Sequence, residues 1–126
     1  MKVIKTAKAP KPLGPYSQGI LYGNLIFVSG QLGVDPETGE LKDSFREQAL
    51  QALKNLKAVV EAAGGSRCSV VKVTVYTTEL EKFGEFNQVY REFFKGCPFL
   101  PTRAVVEVKR LPMNAKVEVE CVAIKG

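Results

Sequence analysis

Apolar and polar positions change period several times along the chain, and each change marks an element. Ser17–Tyr22 and Leu25–Ser29 flank Gly23-Asn24, a pair suited to a two-residue hairpin because both positions tolerate φ > 0. Asp35-Pro-Glu-Thr-Gly39 reads as a second turn, with proline presetting φ and glycine closing it. From Ser44 the period becomes helical: Phe45, Ala49, Leu53, Leu56, Val60 and Ala63 recur on one face, and Ser44 with Glu47 has capping-box spacing. Gly64-Gly65 stops that run. About twenty residues at ~1.5 Å each predict a helix near 30 Å, long enough to cross a small sheet.

Val70–Thr78 returns to period two, placing Val71, Val73 and Val75 on one face and Lys72, Thr74 and Tyr76 on the other. A second helix is predicted from Glu81 to Lys95, with Phe83, Phe86, Tyr90, Phe93 and Phe94 toward the sheet and Gly96 and Pro98 ending it. Two strands follow, Thr102–Lys109 and Lys116–Ile124, joined by Arg110–Ala115. The expected fold is α+β, with both helices on one face of the sheet. In the last strand Val117, Val119, Cys121 and Ala123 share a face, yet Val122 and Ile124 make the other face apolar as well. Two helices cannot cover both faces, so a second subunit is expected on the open one.

At 126 residues without a linker or repeat, the chain reads as a single domain spanning 1–126. It has no apolar run of membrane-spanning length and no signal-like start, so a cytosolic protein is expected and no membrane partner. Histidine is absent, which excludes every mechanism built on an imidazole base or ligand. Cys68, Cys97 and Cys121 are odd in number, widely spaced and form no C-x-x-C, so neither a zinc site nor a disulfide is expected. The net charge of +5 is diffuse. Lys2, Lys5, Lys8 and Lys11 form its one regular series, and no aromatic residue interleaves with them to stack on a nucleic acid. That series reads as a solvated face.

Chemistry must therefore come from arginine, carboxylates, hydroxyls or backbone groups. Arg103 opens an apolar strand and needs an anion, either a carboxylate of its own chain (Glu107 or Glu118) or a ligand carboxylate or phosphate held by both guanidinium nitrogens. Glu118 and Glu120 alternate on the final strand, where a carboxylate serves as a surface charge or a proton acceptor. Tyr16, Ser17 and Ser29 stand at loop or strand ends that line pockets or simply make turns. Asn87 interrupts the aromatic face of the second helix. No glycine-rich phosphate loop is present.

The segments Gly14-Pro-Tyr-Ser-Gln-Gly19, Val28-Ser-Gly-Gln31, Pro36-Glu-Thr-Gly39, Phe86-Asn-Gln-Val-Tyr90, Pro101-Thr-Arg103 through Leu111-Pro112, and Val117-Glu-Val-Glu120 together resemble the Rid/YjgF family of imine deaminases. The resemblance runs in order over nearly the whole chain. It implies a chorismate-mutase-like fold and a homotrimer with ligand clefts between subunits. It implies hydrolysis of 2-imino acids such as 2-iminobutanoate and 2-iminopropanoate to 2-oxo acids and ammonia, with no metal or organic cofactor. Carried over by position, Arg103 clamps the substrate carboxylate, Glu118 polarises the attacking water and Tyr16 closes the pocket. Gly30 and Val105 supply backbone hydrogen bonds, while Ser29 and Asn87 shape the cleft. Val105 departs from the many relatives with cysteine there. Two alternatives from other classes accompany this reading. One is an endoribonuclease that inhibits translation, for which the sequence offers no histidine pair. The other is a non-catalytic ligand-binding or chaperone-like relative, which the joint presence of Arg103 and Glu118 opposes.

Overall fold

The computed structural model describes residues 1–126 as one mixed six-stranded sheet with two helices on one face. The strands are β1 (Lys2–Ile4), β2 (Gly19–Tyr22), β3 (Leu25–Leu32), β4 (Val70–Thr77), β5 (Thr102–Glu107) and β6 (Val117–Ile124), in the order β1-β2-β3-β6-β4-β5. Only the β4–β5 pair is parallel. The last strand therefore sits in the middle, between β3 and β4. Its alternating burial follows from that place: Val117, Val119, Cys121 and Ala123 enter the core, and the residues between them stay half-exposed.

Helix α1 (Phe45–Ala62) starts at the predicted capping box, where Ser44 Oγ accepts from Glu47 N and the Glu47 carboxylate accepts from Ser44 N. It ends at Gly64, whose φ of +93° a side chain would resist. Its inner face buries Phe45, Ala49, Ala52, Leu53, Leu56, Val59 and Val60 against the sheet. Two buried amides lock it to the neighbouring loops. Asn55 Nδ2 donates to the carbonyls of Leu32 and Val34, at 3.0 and 2.8 Å. Gln48 donates to Lys42 O and accepts from Lys116 N.

Helix α2 spans Phe83–Phe93, shorter at both ends than the period predicts, because Leu80–Lys82 forms a tighter 3₁₀ turn before it. Phe86, Tyr90 and Phe94 are buried as expected, with ring centroids 5.7 and 4.9 Å apart along the series. Phe83 lies on the rim instead, exposed beside the edge strand. In β4 the inward residues are Val70, Val73, Val75 and Thr77, because an irregularity between Val70 and Lys72 shifts Val71 out of phase. β1 was not expected from sequence. Three residues carry too little pattern to read, and only pairing with β2 and burial of Ile4 make it a strand.

The face away from the helices is open. Leu25, Phe27 and Val106 are exposed on it, and Val122 and Ile124 half-exposed. Neither helix is long and apolar enough to cross a membrane.

The expectation of no disulfide is overturned. Cys68, just before β4, is joined to Cys97, just after α2, and Cys121 is left free and buried. The partners are 29 residues apart in the chain, and the turn before β4 meets the C-terminal end of α2, where Arg67 donates to Phe93 O, with the two Cα atoms 5.2 Å apart. Spacing along a sequence carries no trace of that approach. A link closing a loop of this length contributes about 2–4 kcal/mol. Reduction, or Cys97→Ser, should lower the stability measured by guanidinium unfolding by that amount. An unchanged midpoint in reductant would show that the link contributes nothing.

Candidate functional site

Strand register decides where each candidate side chain points. Val73 pairs with Arg103 and Val75 with Val105, so Arg103 and Val105 lie on the helix-covered face, at the edge of the sheet. Tyr76 pairs with Glu118 and Thr74 with Glu120, so both glutamates lie on the open face. Within one chain Arg103 and Glu118 are on opposite sides of the sheet. They form no ion pair, and the reading of Arg103 as a partner of Glu107 or Glu118 is not met.

Arg103 is half-buried, and its hydrogen-bond partner is a neutral amide: Nη1 donates to Asn87 Oδ1 at 2.8 Å. Three rings surround the guanidinium carbon, Tyr90 at 4.8 Å, Phe83 at 5.3 Å and Phe86 at 6.0 Å from their centroids. Ring faces attract a cation without neutralising it. The ion pairs of the chain, Lys42–Asp35, Lys82–Glu79 and Lys116–Glu79, all lie elsewhere. A guanidinium has five N–H donors, and Asn87 accepts from one nitrogen only. The fork is thus oriented and still able to take a carboxylate on two parallel bonds.

Tyr90 bears an unusual burden. Its hydroxyl is buried with no hydrogen-bond partner, and burial pushes its pKa up to about 12 against the opposing charge of Arg103. An orphaned hydroxyl costs about 1–3 kcal/mol. The position is explained by its ring, which lies nearest of the three to the guanidinium. The sequence pattern assigns Phe83, Phe86 and Tyr90 to packing alone. Their spacing on one helix face was the available signal, and only the register of β5 places Arg103 over them.

On the other face, Tyr16, Ser29, Gly30, Glu118 and Glu120 line a cavity of about 870 Å³. Gln18 also lines it. This buried amide accepts from Thr6 N at 2.7 Å and donates to carbonyls of Thr6, Ala9 and Pro10, which holds the proline-rich loop in place. Tyr16, exposed at the end of that loop, accepts from Leu13 N through its hydroxyl. Ser29 Oγ donates to Ser17 O at 2.6 Å. The β3–β6 register shifts between Val28 and Gln31, a bulge that turns Ser29 and Gly30 toward the cavity.

Gly30 is there for a steric reason. A Cβ at that position would stand 2.8 Å from the Glu118 carboxyl, so the carboxylate lies directly over the glycine. Glu118 is half-buried, and burial first, then the charge of Glu120, raise its pKa above the ordinary carboxylate value. Glu120 is engaged differently, accepting from Tyr76 Oη at 3.1 Å. The two glutamates are therefore not equivalent: both line the cavity, but Glu120 is tied to Tyr76 while Glu118 has a raised proton affinity. No three Cys, Asp or Glu side chains gather in a way that could hold a metal ion.

The chain and its fold have counterparts among known proteins. The family described as Endoribonuclease L-PSP matches residues 6–125. A RutC family protein of Aquifex aeolicus is 50% identical over 125 residues, covering 99% of this chain and all of its own. The rat 2-iminobutanoate/2-iminopropanoate deaminase is 44% identical over 126 residues, covering 99% of this chain and 90% of its own. The crystal structure of Escherichia coli TdcF with bound serine superposes with a TM-score of 0.96 at 42% identity, over the full length of both chains. The fold, the matched residues and these relatives agree, and the chain belongs to the Endoribonuclease L-PSP family, which is the YjgF/Rid family.

Proposed function

We propose that this protein hydrolyses short 2-imino acids to 2-oxo acids and ammonia, in clefts formed between subunits of a homotrimer. The observation that carries the reading is Arg103, an oriented guanidinium with no carboxylate of its own chain. The opposite placement of Arg103 and Glu118 supports a composite cleft, since an edge-strand arginine of one subunit reaches the open face of another. The apolar residues of that open face support its being covered by copies of the chain. The rat relative is named for the same reaction.

In the proposed cleft Arg103, aimed by Asn87, holds the substrate carboxylate. Ser29, Gly30 and the backbone of Val105 shape the surroundings of the imine, and Tyr16 closes them. Glu118 takes a proton from water as its oxygen attacks the imine carbon. Glu118 returns that proton to the nitrogen of the carbinolamine. The C–N bond then breaks to release ammonia while the hydroxyl gives its proton to Glu118, leaving the 2-oxo acid. Glu118 is reset when that proton passes to the departing ammonia. An imine carbon is already electrophilic, so orientation and one proton transfer supply most of what is needed. A base with raised proton affinity suits this role near neutral pH.

The test couples a threonine or serine dehydratase to the protein and follows ammonia release, with semicarbazide as competing trap. Faster loss of trappable imine is the expected result; RNA degradation with imine untouched would establish the other reading. Arg103→Lys keeps charge without the planar fork and should lose most activity. Tyr90→Phe keeps the ring, removes an unpartnered hydroxyl and should stay active while gaining stability.

Glu118→Gln should lower kcat by ~10²–10⁴ and leave affinity for an unreactive 2-oxo acid nearly unchanged. The pH profile separates the glutamates further. Activity requires ionised Glu118, so it falls as pH drops through the raised pKa. The negative charge of Glu120 contributes to that rise, so Glu120→Gln should move the acid limb to lower pH. A limb moving upward would contradict the assignment.

Light scattering at micromolar concentration should give a trimer. A stable monomer would leave the two halves of the site apart and overturn the cleft.

A further inference from the structure

The segment joining β5 to β6 holds the chain's two non-glycine residues with positive φ, Met113 at +60° and Asn114 at +55°. Asparagine visits this region with modest cost, but methionine has no local hydrogen bond to offset its Cβ clash. The conformation is imposed from both ends. Leu111 and Ala115 are buried in a small second core with Leu32 and Val34. Asn114 N donates to Leu111 O, and Ala115 N to Pro112 O. The turn is thereby bolted down, and the methionine side chain is displayed outside it, 44% exposed. It contributes nothing to that small core, and it lines the cavity that contains Glu118. Leu13, Tyr16 and Met113 are the exposed large apolar side chains around this cavity. Leu13 and Tyr16 belong to one loop, so Met113, beside Pro112, supplies the large apolar side chain from the other wall.

We propose that Met113 is a specificity-determining residue, the apolar stop against which the aliphatic side chain of the substrate packs. The inference rests on the functional reading above. With the carboxylate at Arg103 and the reacting carbon beside Glu118, the remaining substituent of a 2-imino acid needs an apolar boundary. A methionine on a held turn gives a soft apolar wall anchored at a fixed backbone position. It favours short aliphatic side chains over longer ones.

The test compares Met113→Ala, Met113→Gly and Asn114→Gly with the parent chain. One readout is kcat/KM for 2-iminopropanoate against the imine of leucine. The other is calorimetric affinity for the corresponding unreactive 2-oxo acids, which reports on the wall whether or not the chain is a deaminase. Removing the side chain should shift the preference toward the longer compound by about tenfold or more in both readouts, the scale on which apolar pockets discriminate by a few methylenes. Both Met113 variants should do so, and Met113→Gly guards against a folding defect because glycine adopts this φ freely. Asn114→Gly relieves the turn without touching the wall and should leave the preference unchanged. An unchanged ratio in both Met113 variants overturns the inference, as does an equal shift in Asn114→Gly. Shifted oxo-acid affinities in a chain without deaminase activity would sustain the wall and refute the reaction.

Discussion

Between β4 and β6 the antiparallel register sets Val73 against Cys121, Val75 against Val119 and Thr77 against Val117, and the rest of the molecule hangs on it. Side chains alternate across a sheet with period two, so this pairing assigns every residue of the central strands to one face or the other. The valines go under the helices. Glu118 and Glu120 go to the open side, one carried over Gly30 and the other against Tyr76. A slip of one residue would bury both carboxylates beneath α1 and expose Val117 and Val119. The cost of burying two charges forbids it.

The same register, passed on through the parallel β4–β5 pair, sends Arg103 to the helix side at the sheet edge. There the charge is tolerated because it is only half-buried, because Asn87 accepts from it and because three rings offer their faces. None of these partners is an anion. The protein thus retains a half-buried cation without a counter-charge, and tolerates an orphaned Tyr90 hydroxyl beside it. An orphaned hydroxyl is a cost to stability, and the arrangement makes sense as preorganisation for a ligand carboxylate. On the opposite face the glycine under Glu118 and the rigid turn bearing Met113 have the same character. In both places the local structure is held by neighbours rather than by its own preference.

Much of the architecture was legible because each element has a strong local signature. The period of α1 and its capping box, the Gly23-Asn24 hairpin and the alternation of β6 depend on near neighbours in the chain, and all appear where those patterns lie. The apolar content of both faces of β6 likewise announced an open sheet face. Weak or competing local signals were less informative. The three residues of β1 carry no readable period, and the irregularity near Val71 is a property of pairing with β6 rather than of β4 alone.

For the site, residue chemistry marked Arg103, Glu118 and Asn87, since a charge or an amide in an apolar run demands an explanation. Their grouping was decided only in three dimensions. Faces depend on register, and register depends on which strands are neighbours, which no local pattern encodes. That is why Arg103 lies over Tyr90 and not beside Glu107, and why Glu118 lies across the sheet from it. The Cys68–Cys97 link has the same origin: odd count and wide spacing argue against a bridge, and the meeting of the turn before β4 with the end of α2 makes one. Sequence determined which residues have chemistry to offer and which segments repeat. The long-range pairing of β6 between β3 and β4, stabilised by burial summed over the whole core, decided which of them meet.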